Sequence, residues 1–318
     1  MNRPVIGAAL LLALCVGGQS RAQGETIAVF TKNQGPIFAA LRAGAAVAAK
    51  NLGVQLVNYV PSTADSVAEQ NKLVDDAVKD KPDAIVFVPV KFTEADSAVK
   101  KINAAQIPLI NANEPLVNAS VVGYVGTNDV SLARETGRYL LKAMNGNGSV
   151  VVLDGPDKSF TAEGRGQGYR DVIKEYSGVK LLDAKPANYQ RAQAKQVVAG
   201  FLSRYVHLDG ILAGNDPMAM GAVDALKAAN RKALVVGINA SREAMELIKS
   251  GEIVGSGDYD TFVQGCLAVE MAVRSVRKEN VPKELMLKPV VIDKTNYAPF
   301  DQPYEKRECP TLANVDRQ

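Results

Sequence analysis

From residue 26 to residue 256 the chain alternates short β-branched runs with longer segments whose apolar residues recur at helical spacing, and few folds accept such a pattern. Strand, helix, strand in steady succession is the mark of βαβ units, which close as a parallel sheet with helices on its faces. Residues 26–30 read as a strand, and Phe38, Leu41, Ala45, Ala48 and Leu52 then form one helical stripe that Gly53 ends. The pattern continues through a strand at 54–59, a helix at 67–78, a strand at 84–88, a helix at 94–104, and strands at 108–111 and 121–125. After Asn128 and Asp129 a helix runs to Met144, and the turn Asn145-Gly146-Asn147-Gly148 breaks it. The same grammar then restarts, with strands at 149–153, 179–184, 210–213, 234–237 and 253–256. Strand, loop, glycine-bearing helix, strand occurs at 26–59 and again at 149–184. The expected fold is therefore α/β, with two similar doubly wound parallel-sheet lobes. No Ser-rich or Pro-rich linker separates them, which implies close crossovers in place of a loose tether.

The first residues concern the compartment. Arg3 supplies a positive start, residues 5–16 are an unbroken apolar run, and Ser20-Arg21-Ala22 places small residues where a signal peptidase reads them. Residues 1–22 are expected to be a signal peptide, with the mature chain starting at Gln23 and lying in the periplasm. The run is too short for a membrane span, which takes about 20 apolar residues. Leu14 ahead of Cys15 does not fit the small residue of a lipoprotein site. Without Arg3 and Arg21 the net charge falls from +3 to +1, and no basic stripe marks a nucleic-acid partner. The two remaining cysteines, Cys266 and Cys309, are an even pair for which an oxidising compartment permits a disulfide; two free thiols, with Cys266 packed in a core, are the other reading.

Ligands of open parallel sheets bind beyond the carboxyl ends of the strands, where loops and helix N-termini converge. The loops to search are 31–37, 90–93, 112–116, 154–160, 188–191, 214–217, 239–241 and 257–261, and their polar content is amides, carboxylates and hydroxyls. These are partners for hydroxyl groups, with no evident nucleophile and base. His207 is the only histidine, so a zinc cluster of several histidines is excluded within one chain, and it sits at the wrong end of its strand for a site. Gly164-Arg165-Gly166-Gln167-Gly168 lies within a helical stretch and lacks dinucleotide-loop spacing. No cofactor or metal is expected.

Five segments carry a resemblance: Lys32-Asn33-Gln34-Gly35-Pro36-Ile37-Phe38, Arg165-Gly166-Gln167-Gly168-Tyr169, Pro186-Ala187-Asn188-Tyr189, Gly214-Asn215-Asp216-Pro217-Met218 running on to Ala222, and Val235-Val236-Gly237-Ile238-Asn239-Ala240. Together, and in this order, they resemble the ribose-type (type I, cluster B) periplasmic binding proteins of bacterial sugar ABC importers. The resemblance implies a monomer of two lobes joined by three crossovers, with a solute in the cleft between them. The crossovers are expected near Asn128, Asp258 and Asp293. One lobe then holds residues 23–128 and 259–292, and the other holds 129–258 and the tail 293–318.

Carried over residue by residue, the resemblance makes Asn215 a ligand-binding amide, Phe38 and Tyr189 aromatic faces for a sugar ring, and Gly35 part of the first binding loop. Asn113 and Asn239 stand where the family usually has aspartates. Glu114 and Glu163 stand where it has arginines. Asp258 completes the set, and Asp216 is read as the cap of the helix that Pro217 begins. A pocket with Glu114, Glu163 and Asp258 favours a ligand rich in donors or positively charged, such as a polyol, a cyclitol or an amino sugar, unless Lys91, Arg165 or Arg191 supplies a cation. The function implied is a receptor that delivers a small polyhydroxylated solute to an ABC permease. Two other classes remain: an exported enzyme with Glu163 or Asp258 as general base, and a sensor subunit for a chemoreceptor or kinase.

Overall fold

The computed structural model describes residues 24–157 and 159–315; the expected signal peptide lies outside them. In the first lobe, β1 (Thr26–Phe30), α1 (Pro36–Leu52), β2 (Gln55–Tyr59), α2 (Val67–Asp80), β3 (Ala84–Phe87), α3 (Asp96–Ala104), β4 (Leu109–Ala112) and β5 (Gly123–Thr127) follow one another. The chain then crosses at Asn128 into α4 (Asp129–Ala143), β6 (Asn147–Asp154), α5 (Phe160–Lys174), β7 (Gly178–Pro186), α6 (Arg191–Arg204), β8 (Gly210–Ala213), α7 (Asp216–Ala228), β9 (Leu234–Ile238), α8 (Met245–Ser250) and β10 (Gly255–Asp258). It returns through α9 (Thr261–Val276) and β11 (Glu284–Leu287), and crosses again into β12 (Val290–Ile292).

Among the described residues the sheets run β11-β5-β4-β3-β1-β2 and β12-β10-β9-β8-β6-β7. All neighbours are parallel except β12, which runs antiparallel to β10. The strand order reverses beside β1 and beside β6, so each lobe opens a crevice at the carboxyl ends of its central strands, and the two crevices face each other. Helices cover both faces of each sheet, which is why β1, β3, β4 and β8 are almost wholly buried and read as continuous apolar runs. The core of the first lobe lies between its sheet, α1 and α9 on one side and α2 and α3 on the other. That of the second lies between its sheet, α6, α7 and α8 on one side and α4 and α5 on the other.

α9 is buried from Thr261 to Val273 and crosses α1 at close range through two glycines. A Cβ on Gly44 would come within 1.9 Å of the Phe262 carbonyl oxygen, and one on Gly265 within 2.0 Å of that of Leu41. Only glycine admits this crossing, which fixes the return helix on the first lobe.

Two boundaries differ from the sequence expectation. Because Val290–Ile292 pairs with β10, the third crossing falls at Lys288 and Pro289, before Asp293. Strands of three and four residues, β12 and β11, carry too short a pattern to be read in sequence. The tail is also divided between the lobes. It begins on the second, where Asp293 accepts a hydrogen bond from the Tyr139 hydroxyl (2.7 Å) and Asp301 pairs with Lys249 (2.5 Å). It then returns to the first: Tyr304 stacks on Phe262, Cys309 is disulfide-bonded to Cys266 of α9, and the Leu312 amide donates to Glu270 (2.8 Å).

Candidate functional site

The facing crevices form a cleft of about 450 Å³ whose walls come from both lobes. On the first-lobe wall, Arg42 of α1 braces the loop after β1 by donating to the Thr31 hydroxyl (2.8 Å) and the Asn33 carbonyl (3.0 Å). The Gly35 amide closes that loop on the Asn33 side chain (2.8 Å). The bracing holds Lys32 toward the cleft, where it forms an ion pair with Glu114 from the loop after β4. Phe38, in the first turn of α1, turns one side to the cleft and packs the other on the core. Asn113 is held in the left-handed region (φ 69°), and its amide nitrogen donates to the side chain of Gln264 (3.1 Å).

On the second-lobe wall the centre is Arg165 of α5, which is 5% exposed. Its Nε donates to Asp129 (2.7 Å), its NH1 to the Gly214 carbonyl (2.9 Å) and, at 3.4 Å, to Asn239, and its guanidinium lies against the rings of Tyr189 and Tyr259. Burial is the largest single influence on Arg165 and works against its charge, but Asp129 together with Tyr189 and Tyr259 outweighs it and holds the pKa above the ordinary arginine value. Burial raises the pKa of Asp129 even with Arg165 beside it. Asn215 caps α7, accepting from the Met218 amide (3.0 Å) while its own amide donates to the Tyr189 carbonyl (3.3 Å). Asp216 is therefore the first helical residue and not the cap; buried, it instead accepts from the Ser241 amide (2.6 Å) and the Ser256 hydroxyl (2.5 Å). The Tyr189 ring lies so close to Gly155 that a Cβ there would come within 2.5 Å of it.

The walls meet at the hinge and at the mouth. Gln264 donates to the Tyr259 carbonyl (2.7 Å) and the Thr127 hydroxyl (3.2 Å), and that hydroxyl donates to the same carbonyl (3.0 Å). Asn113 in the cleft is thus wired to two crossing strands through one buried amide. At the mouth Phe92 of the first lobe meets Phe160 of the second edge to face, with ring centroids 5.7 Å apart.

Residues 27–280 match the model of the periplasmic binding protein domain. The chain belongs to that family. This periplasmic binding protein is 29% identical over 301 residues to the D-apiose import binding protein of Paraburkholderia graminis, covering 93% of this chain and 96% of the relative. It is 26% identical to the ribose import binding protein of Haemophilus influenzae, over 87% and 94% of the two chains. An ABC transporter periplasmic solute binding protein of Actinobacillus succinogenes, solved with bound D-allose, superposes with a TM-score of 0.81 at 28% identity, over 86% of this chain and 99% of that one. The resemblance to ribose-type sugar receptors drawn from sequence motifs holds at the level of the whole chain.

Within this binding protein, Phe38, Asn113, Glu114, Tyr189, Asn215 and Asn239 line the one cleft. Three other expected site residues do not. Gly35 shapes its loop without lining the cleft. Glu163 is exposed and faces a separate cavity of about 380 Å³ with Tyr124, Gln167 and Glu284. Helix positions two residues apart differ by about 200° around the axis, so when Arg165 points into the cleft Glu163 points away. Asp258 borders a third cavity of about 240 Å³ beside Arg242 and Arg307. Burial pushes its pKa well up, with Asp260 adding to the rise and Arg307 of the tail opposing it.

Of the three cations that were open as neutralisers, Arg165 is in the cleft, Lys91 stands at its rim paired with Glu94, and Arg191 is turned away onto Asp224. Of the three acids expected in the pocket only Glu114 lines it, and of the cations left open Arg165 is the one buried there. Sequence reading missed Lys32, Tyr259 and the Phe92–Phe160 contact as parts of the site. Lys32 lay within a quoted motif, but nothing local says which way it points. Among the described residues no cluster of histidine, cysteine and acidic side chains suits a metal ion.

Proposed function

We propose that this chain is an exported receptor that holds a small polyhydroxylated solute, such as a monosaccharide, polyol or cyclitol, between its lobes and delivers it to an ABC permease. The observation that carries the reading is the lining of the cleft. Amides of Asn33, Asn113, Asn215 and Asn239 and hydroxyls of Ser159 and Thr161 line it together with the aromatic side chains Phe38 and Tyr189. Amides and hydroxyls match the mixed donor and acceptor character of sugar hydroxyls, and aromatic faces suit the apolar side of a ring. The names of the relatives, which bind apiose, ribose and allose, support the same class. An enzymatic role loses its candidates, because Glu163 and Asp258, the acids considered as general base, both lie outside the cleft.

A ligand touching both walls stabilises the closed form. The test is a thermal-shift screen of residues 23–318 against pentoses, hexoses, linear polyols and inositols. A ligand at 100 times its Kd is expected to add about 2.7 kcal/mol of stability. Silence across the panel would sink the reading. Capture of a chemoreceptor or kinase ectodomain only in the presence of the hit would add a sensory role.

A further inference from the structure

The charged side chains on the cleft wall are matched in opposite pairs. Arg165 is matched by Asp129, Lys91 by Glu94 and Lys32 by Glu114, while Asp65 accepts from the amide of Asn33 (2.8 Å). These pairs differ in what else holds them. Arg165 is tied to backbone and to two rings, and Lys91 and Glu94 stand half-exposed at the rim. Lys32 and Glu114 come from two loops of one lobe, their side chains are 12% and 13% exposed, and among the described residues each is the other's only side-chain hydrogen-bond partner, with the Phe38 ring 6.0 Å from Lys32.

We propose that the Lys32–Glu114 pair sets the charge specificity of the cleft, selecting a neutral ligand with adjacent hydroxyls and rejecting its cationic and anionic analogues. This rests on the sugar-receptor reading and deepens it. The ammonium is donor-only and the carboxylate acceptor-only. Two neighbouring hydroxyls satisfy both at once, one accepting from Lys32 and the other donating to Glu114, and the charge of the cleft stays balanced. An amine in place of one hydroxyl would meet Glu114 with Lys32 at its side, and a carboxylate would meet Lys32 with Glu114 at its side. In each case a like charge stands next to the attractive one in a poorly solvated site, which is the usual device for excluding a near-identical competitor. The acid-rich pocket read from sequence favoured a cationic ligand; the pairing of Glu114 removes that preference.

The experiment is calorimetric titration of the full mature chain with matched probes: D-glucose, D-glucosamine and D-glucuronate, and D-ribose, D-allose and myo-inositol with their amino and carboxylate analogues. The wild type is expected to bind a neutral member and to bind its charged analogues about tenfold more weakly or worse. Glu114→Gln leaves Lys32 unmatched and is expected to move preference to the carboxylate analogue, and Lys32→Met is expected to move it to the amine. The exchanged pair, Lys32→Glu with Glu114→Lys, restores the neutral preference and shows that the loops still fold. A wild type that prefers a charged member overturns the proposal, as do single variants that keep the wild-type order of binding. If the wild type binds no member at all, the receptor reading fails and this inference falls with it.

Discussion

The two walls of the cleft are built on different principles. On the second lobe Arg165 is buried and committed to Asp129, to the Gly214 carbonyl and to two tyrosine rings, and Asn215 spends its amide on capping α7 and on Tyr189. On the first lobe Lys32 and Glu114, both on loops, have among the described residues only each other as side-chain hydrogen-bond partners. The second wall is a polar network whose members fold together, so its geometry stands before a ligand arrives. The first wall presents charges whose hydrogen bonds a ligand can take over. Stability should therefore be concentrated on one wall and selectivity on the other, and substitutions can test that division.

The largest effect is expected for Arg165→Met. It leaves Asp129 buried without its partner, a loss of about 3–5 kcal/mol in urea unfolding. The deficit should depend on pH with a definite sign. Burial already holds the Asp129 carboxyl above its ordinary range, and removing Arg165 takes away the opposing influence. An acid whose folded pKa is raised costs stability as pH climbs above its unfolded value of about 4, so the deficit should be larger at pH 7 than at pH 4. A deficit that is equal at both pH values would break the idea of a wall organised around Asp129.

Gln264→Leu comes next. It strips Asn113, Thr127 and the Tyr259 carbonyl of a buried partner, and about 1–3 kcal/mol of stability should be lost. This link joins the first wall to the hinge, so closure measured by small-angle scattering with ligand should also become less complete. Phe160→Ala removes the mouth contact with Phe92, worth about 0.5–1.5 kcal/mol, and should appear as a faster off-rate in stopped flow with little change in melting. Lys32→Met should cost less stability than Arg165→Met, because the Glu114 side chain it leaves behind is 13% exposed against 3% for Asp129 and can turn toward water. If Lys32→Met unfolded the protein as strongly as Arg165→Met, the contrast between the walls would be gone.

Much of the architecture was legible in the residues. The alternation of short β-branched runs with segments of period 3.6 gives sheets and helices locally, and the rule that ligands meet strand carboxyl ends pointed to the loops that carry Asn113, Tyr189, Asn215 and Asn239. Glu163 was misplaced by one helical face: Ala162, Arg165, Gly166 and Tyr169 share the buried stripe of α5, and that spacing was available in the sequence. The short strands β11 and β12 and the second return of the tail had no such local signal. Their place depends on which exposed sheet edge and which helix are near enough to receive them.

By itself, then, the sequence determined the kind of fold, the loops that would form the site and the chemical character of its lining, because periodicity, turns and residue type act over a few residues. Only the tertiary structure decided which charges cancel. Lys32 and Glu114 are 82 residues apart, Arg165 and Asp129 are 36 apart, and Asn113 and Gln264 are 151 apart. Whether a carboxylate in such a cleft attracts a cation or holds one already is set by a neighbour distant in sequence, which comes close only when the lobe that carries both is folded.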